Sequence, residues 1–151
     1  MSQIFKFAAI FTIMALLLTG LAACTTAESA PKLSIQDPWV RPAAMGVGTA
    51  AIYFTLVNEG TASDAIVGAS SDAAESVRLH ETQMEGDIMS MVPVLRIEVP
   101  AKGSTDLKPG GFHMMLVGLK RDLNPGDMVS VTLHFEKSDD MTVEAECTLA
   151  P

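Results

Sequence analysis

Almost the whole sequence after residue 32 consists of short apolar runs separated by turn-forming segments. Six of these segments are clear: NEGTASD, MEGD, VPAKGS, KPGG, LNPGD and KSDDM. Within the runs apolar and polar residues alternate, as in VSVTLHFE, and no run keeps a helical period. The pattern predicts one all-β domain, an antiparallel sandwich or barrel. The predicted strands lie near residues 33–37, 49–58, 64–70, 75–81, 88–92, 94–99, 104–107, 112–118, 128–136 and 141–149.

The first residues instead have the pattern of a bacterial lipoprotein signal. Lys6 precedes an apolar run of 12 residues, which would span about 18 Å as a helix against about 30 Å of bilayer hydrocarbon. The run therefore predicts a cleaved secretory signal rather than a membrane span. The following LAAC resembles a lipobox, so we expect a signal peptide at 1–23, lipidation of Cys24, a flexible tether at 24–32 and a folded domain at 33–151. Ordinary cleavage nearby, with Cys24 left as a free thiol, is the alternative.

Charge and cysteine content exclude several classes of protein. Loss of residues 1–23 would remove Lys6 and no acidic residue, leaving 9 basic and 18 acidic residues, a net charge of −9. This charge argues against nucleic-acid binding and against a basic patch on anionic lipid, so membrane contact would come from the lipid anchor only. If Cys24 carries lipid, Cys147 has no disulfide partner, and we expect it to pack as a small hydrophobe.

Two of the three histidines lie beside methionines, in LHETQMEGDIMSM and GGFHMMLVGL. Strand periodicity places His113 and Met115 on one face and Met114 on the other. Apolar residues alternate with His80, so that imidazole should face away from the core. If the two segments are neighbours, His80, Met91, His113 and Met115 can converge on one position.

Such a donor set has a definite metal preference. Thioether sulfur is soft and uncharged and selects Cu(I) over zinc, calcium or magnesium, while imidazole suits copper in either oxidation state. The thioethers carry no proton, but the imidazoles must be neutral, so binding should weaken below roughly pH 6.5. Methionine is also a common core residue, and packing alone is the alternative interpretation.

The spacing of these residues resembles that of the PCuAC family of periplasmic copper chaperones. Ten residues separate His80 from Met91, twenty-one separate Met91 from His113, and His113 and Met115 form a His-x-Met motif. The flanking DPWVRPA, TAAIYFTLVNEG, DAIVGASS and LKPGGFHMMLVGLKRDLNPGD are also similar to that family, so the likeness extends over roughly residues 33 to 148.

The resemblance implies a cupredoxin-like Greek-key β-sandwich that binds Cu(I) through His80, Met91, His113 and Met115. It also implies a periplasmic chaperone, without catalytic activity, that delivers copper to the CuA site of cytochrome c oxidase alongside Sco-type assembly proteins. Met84 and Met89 lie outside the signature and are candidates for accessory or transfer sulfurs. The lipobox would anchor this protein to a membrane.

Three other functions are alternatives to copper delivery. Copper sequestration for tolerance would use the same residues. An electron-transfer cupredoxin needs a cysteine thiolate with two histidines and an axial methionine, yet Cys147 follows every histidine and methionine in the chain. An enzyme is not predicted, because the sequence has no nucleophile elbow, HExxH motif or phosphate-binding loop.

Overall fold

The computed structural model describes residues 29–42 and 48–149, and the regular elements in these two ranges are ten β-strands. The predicted signal peptide and Cys24 lie outside the described residues. No helix capable of crossing a bilayer occurs in the part that is described. The strands are β1 (Leu33–Pro42), β2 (Thr49–Asn58), β3 (Asp64–Ser70), β4 (Ala74–Glu85), β5 (Ile88–Pro93), β6 (Ile97–Val99), β7 (Gly103–Leu107), β8 (Phe112–Leu119), β9 (Met128–Phe135) and β10 (Met141–Cys147).

Each predicted strand is present: two have the predicted bounds, five differ by one or two residues at an end, and three differ by more. β1 continues beyond a bulge between Gln36 and Trp39, where Asp37 has a φ of 50°, so Pro38 interrupts the ladder without ending the strand. β4 runs on to Glu85 because its last residues pair with β5. β6 begins three residues later than predicted, at Ile97.

The ten strands form one hydrogen-bonded sheet in the order β5-β4-β8-β7-β2-β1-β10-β9-β3-β6. Its two halves meet at β1, which is antiparallel to β2 and parallel to β10. The sheet folds over on itself, because buried apolar side chains of both halves form a single core and β3 contacts β4 across it. The all-β prediction is confirmed. Cys147, 1% exposed, lies in this core as expected.

A buried carboxylate joins β3 to the end of β9. Asp64 is 2% exposed, and its two oxygens accept hydrogen bonds from the backbone N–H groups of Ala65, Lys137 and Ser138 at 2.8–3.0 Å. Burial acts to raise the pKa of Asp64, but the hydrogen bonds from Ser138 and the other two residues outweigh it and hold the pKa below its usual range. Asp64 therefore fixes the start of β3 against the β9–β10 turn.

Candidate metal centre

Strand register brings the four predicted residues onto one face of the sheet. His80 in β4 lies directly opposite His113 in β8, with ring centroids 5.7 Å apart. Met115 is two residues beyond His113 on the same face of β8. Met91 in β5 pairs with Thr82, which is two residues beyond His80, so it too lies on this face. The opposite face carries Met114 into the core, as predicted from periodicity.

Each of the two histidines of the site, His80 and His113, has a buried ring nitrogen without a hydrogen-bond partner. His113 is 2% exposed, and its Nδ1 donates a hydrogen bond to the carbonyl oxygen of Gly111 at 3.1 Å. Because a carbonyl can only accept, this bond places the proton on Nδ1 and leaves a lone pair on Nε2. Nε2 of His113 and Nδ1 of His80 are both buried and unpartnered. Buried polar atoms are rarely left in this state unless a ligand or ion satisfies them.

The two methionines differ in their access to solvent. Met115 is half-buried between β4 and β2, where it lies opposite Arg78 and Ala51. Met91 is 54% exposed and belongs to β5, which forms one end of the sheet. The site therefore has an inner side at His113 and an outer side at Met91.

The environment favours a neutral imidazole at His80. Burial lowers the pKa of His80 from its ordinary value of 6.5, and the nearby His113 and the positive charge of Arg78 lower it further. A neutral imidazole is the form that binds a metal ion, so protons compete less at His80 than at an exposed histidine.

An aromatic wall that sequence reasoning missed, consisting of Trp39, Arg41 and Tyr53, closes the inner side of the site. The Tyr53 ring lies 6.3 Å from that of His113 and 4.5 Å from that of Trp39. Arg41 lies over the Tyr53 ring, 5.4 Å from its centroid, and donates a hydrogen bond to its hydroxyl at 3.0 Å. Composition was the one feature of the sequence that could have drawn attention to this wall, since Trp39 and Tyr53 are the only tryptophan and the only tyrosine of the chain.

Met84 and Met89 do not join the four residues but lie beyond them, near the tip of the β4–β5 hairpin. They are direct cross-strand partners, and each is 61% exposed. Met84 is four residues from His80 along β4, or roughly 13 Å. Register nevertheless places both on the same face as the histidines.

Histidine, cysteine and carboxylate side chains offer no other metal site in the residues that the structure describes. These residues contain no group of three or more His, Cys, Asp and Glu side chains able to hold a metal ion. Cys147 pairs with Val40 and faces the core, on the side of the sheet away from the histidines, which argues against a blue-copper site. The third histidine, His134, lies on β9 in the other half of the sheet, and its Nδ1 is 2.9 Å from a carboxylate oxygen of Asp140.

Known proteins share both the sequence and the fold. The family model described as "Putative lipoprotein LpqE-like" matches residues 33–147. "Putative lipoprotein Lxx21020" of Leifsonia xyli subsp. xyli (strain CTCB07) is 35% identical over 134 residues, which cover 82% of this chain and 80% of that protein.

Two solved structures also resemble the domain. The copper-bound PCuAC domain from PmoF2 superposes with a TM-score of 0.68 and 28% identity, over 80% of this chain and 94% of that domain. The CuI form of DR1885 from Deinococcus radiodurans has a TM-score of 0.59 and 34% identity, over 84% and 85% of the two chains. The fold is therefore that of the PCuAC domains, and the expected cupredoxin-like architecture is confirmed.

Proposed function

We propose that this chain, which belongs to the LpqE-like family and to the wider group of PCuAC domains, is a copper chaperone whose cargo is Cu(I). The ligands in this proposal are His80, Met91, His113 and Met115. The observation that supports it most directly is the pair of buried, unpartnered imidazole nitrogens on facing strands. Copper-bound relatives of the same fold support the identity of the metal.

The donor chemistry agrees with this choice of metal. Two thioethers and two neutral imidazoles add no negative charge, which suits a soft ion of single positive charge better than zinc, calcium or magnesium. A structural zinc site would instead be built from thiolates and imidazoles. The hydrogen bond from Nδ1 of His113 to Gly111 orients the ring and fixes its tautomer, as outer partners of metal ligands generally do.

The shape of the site suits transfer rather than permanent storage. His113 is held from behind by Tyr53, whereas Met91 stands in solvent at the sheet edge. An incoming acceptor can therefore replace Met91 first while the inner imidazole still holds the ion. Stepwise replacement of ligands lets a tightly bound ion leave without passing through free solution.

The proposal also includes the location of the protein in the cell. Residues 1–23 would direct export, lipidated Cys24 and the tether at 24–32 would hold the domain at a membrane facing the periplasm, and residues 33–151 would carry copper. The similarity to a relative named as a lipoprotein supports the anchor. Cys24→Ser should move the protein from the membrane fraction to the soluble fraction, and an unchanged distribution would count against lipidation.

The acceptor in this proposal is the CuA site of cytochrome c oxidase, reached directly or with a Sco-type assembly protein. Copper sequestration is the second candidate and uses the same four residues. Deletion of the gene separates the two: delivery predicts a loss of CuA from the oxidase at low copper, whereas sequestration predicts copper sensitivity with normal oxidase.

Anaerobic titration of residues 25–151 with Cu(I), against a chromogenic chelator, tests the metal site. We expect one tightly bound equivalent. Met91→Ala and Met115→Ala should each lower the affinity at least about tenfold, equivalent to roughly 1.4 kcal/mol, because each removes one donor. His134→Ala is the matched control and should leave the affinity unchanged, since His134 lies on a distant strand. Unchanged affinity in both methionine variants would remove the site.

The pH dependence of copper binding should reflect the lowered pKa of His80. Because its folded-state pKa lies below 6.5, His80 stays neutral at pH values where an ordinary histidine has begun to take up a proton. Protonation of His80 should therefore weaken Cu(I) binding only at pH values below those at which an ordinary histidine takes up a proton. The same chelator competition, repeated across a range of pH, checks it. A steep decline already between pH 7.5 and 6.5 would contradict the expectation.

A further inference from the structure

We propose that Met84, Met89 and Met91 form an outer Cu(I)-binding position on the β4–β5 hairpin, through which copper enters and leaves the inner site. The inference rests on the proposed function, because Met91 belongs to both positions. It gives copper a route into and out of the inner site, which the four ligands alone do not define.

The two sides of the histidine pair differ in their surroundings. On one side the aromatic wall of Trp39, Arg41 and Tyr53 stands against His113. On the other side Met91 is exposed at the β5 edge of the sheet, which offers an approach from solvent. An ion that reaches the inner nitrogens from this edge passes the hairpin methionines.

Register brings the three hairpin sulfurs into one group. Met84 and Met89 are directly opposite each other, so their Cβ atoms lie about 5 Å apart. Met91 follows Met89 by two residues on the same face, about 6.6 Å away. A two-residue loop begins with Gly86, whose φ of 63° suits the first position of a tight hairpin turn, and this loop sets the pairing. Flexible thioether side chains can close these distances around one ion.

The exposure of these side chains has no explanation in packing. Their exposed fractions of 54–61% mean that the three methionines bury little apolar surface in the domain. Methionine usually packs in a core. Because these three side chains do not, the chemical property that distinguishes them is the thioether sulfur. Three of them on one face make a soft, neutral donor set of the kind that Cu(I) prefers.

Charge is arranged to draw a cation toward the hairpin. Residues 79–95 contain three acidic side chains, Glu81, Glu85 and Asp87, and no lysine or arginine. The arginines that share the histidine face, Arg41 and Arg78, lie on the inner side instead. A positive ion is therefore attracted to the hairpin, and the positively charged arginines lie on the inner side of the site.

The transfer step involves only ligand exchange. A Cu(I) ion held by the three thioethers keeps its bond to Met91 while His80 and His113 replace Met84 and Met89, and the reverse exchange releases it. Copper remains in the +1 state, and no proton is transferred at the sulfurs. The inner position, with its two imidazoles, binds more tightly, so the outer position governs the rate rather than the equilibrium.

The double variant Met84→Leu/Met89→Leu tests the proposal, because leucine has nearly the same volume and lacks sulfur. Stopped-flow spectroscopy under anaerobic conditions would follow Cu(I) transfer from the loaded protein to excess bicinchoninate. We expect the rate to fall about tenfold while the equilibrium affinity changes less than about twofold. Met128→Leu is the matched control: Met128 is 51% exposed on β9, far from the site, and its variant should transfer copper at the wild-type rate.

Methyl NMR of [13C]methionine-labelled protein gives a second readout. Addition of Cu(I) to His113→Leu, in which the inner site is weakened, should shift the methyl signals of Met84, Met89 and Met91 and leave that of Met128 in place. An unchanged transfer rate in the double variant, or an equal fall in Met128→Leu, would overturn the outer position while leaving the chaperone function intact. If the wild-type protein binds no Cu(I), the proposed function itself fails, so the two failures are distinguishable.

Discussion

His113→Leu should lower the Cu(I) affinity by roughly 100-fold, or about 2.7 kcal/mol, while leaving the copper-free protein as stable as the wild type or more stable by about 1 kcal/mol. The affinity falls because the inner donor is lost. Stability does not fall because Nε2 of His113 is buried without a partner, an arrangement that disfavours the folded state. Leucine has a similar volume and no polar atom to leave unsatisfied.

One hydrogen bond is lost in this variant, and its acceptor remains satisfied. The carbonyl oxygen of Gly111, which accepts from Nδ1 of His113, also accepts from the backbone N–H of Thr82 at 3.0 Å. Chemical denaturation of the copper-free proteins, followed by the same measurement with one equivalent of Cu(I), checks both parts. Copper should stabilise the variant less than the wild type, by up to about the 2.7 kcal/mol lost in affinity.

A matched comparison comes from His134→Leu. The ring nitrogens of His134 lie at hydrogen-bonding distance from Asp140 and Ser70, so its removal breaks contacts and should not raise stability. Its Cu(I) affinity should equal that of the wild type. Loss of several kcal/mol in copper-free His113→Leu would mean that the imidazole supports the fold, contrary to the interpretation of its unpartnered nitrogen as a ligand held ready for a metal.

Asp64→Ala should reduce the free energy of unfolding by about 3 kcal/mol or more, because hydrogen bonds to a charged group contribute about 1.5–3 kcal/mol each and their donors would be left without the carboxylate. Three backbone N–H groups converge on the buried carboxylate. Asp64→Asn should have a smaller effect, since the amide keeps one accepting oxygen and the side-chain volume. Thermal or denaturant unfolding at pH 7 measures both variants.

The effect of Asp64 should also depend on pH in a defined direction. Its folded-state pKa is lowered from 3.8 by hydrogen bonds that outweigh burial, so ionisation favours folding. The contribution is complete above pH 3.8 and is lost as the pH falls through the lowered folded-state pKa. The stability difference between wild type and Asp64→Ala should therefore shrink in acid. A difference that stays constant down to pH 2 would show that the carboxylate acts through shape alone.

Local patterns in the sequence predicted a large part of this fold. Alternation and turn residues located the ten strands, since both depend on neighbours a few residues apart. The same alternation predicted that His113 and Met115 share a face and that Met114 enters the core. Strand ends were less accurate because they depend on pairing, as in β4, which extends to Glu85 through its contact with β5.

The arrangement of the candidate site required information that local patterns do not contain. The direct pairing of His80 with His113 follows from the register of β4 against β8, strands that are separated by three others along the chain. The ring beside His113 is that of Tyr53, which stacks on Trp39, and these two residues come from two further strands. Two of the three N–H groups that bind the Asp64 carboxylate belong to residues more than 70 positions away in the sequence. Such contacts are fixed by the tertiary structure, so the residues that close the site were found only in the structure.

The position of β1 between β2 and β10 has a consequence for how the chain acquires its structure. In the proposed export, the chain crosses a membrane amino end first and presents β1 early, yet one partner of that strand, β10, arrives more than a hundred residues later. The two halves of the sheet cannot be joined until that last strand has crossed, and such non-local pairing makes folding slow, in the range of milliseconds to seconds. Under this proposal the complete sheet would form only outside the compartment where the chain is synthesised. Synthesis and metal loading would be separated in space by the topology itself.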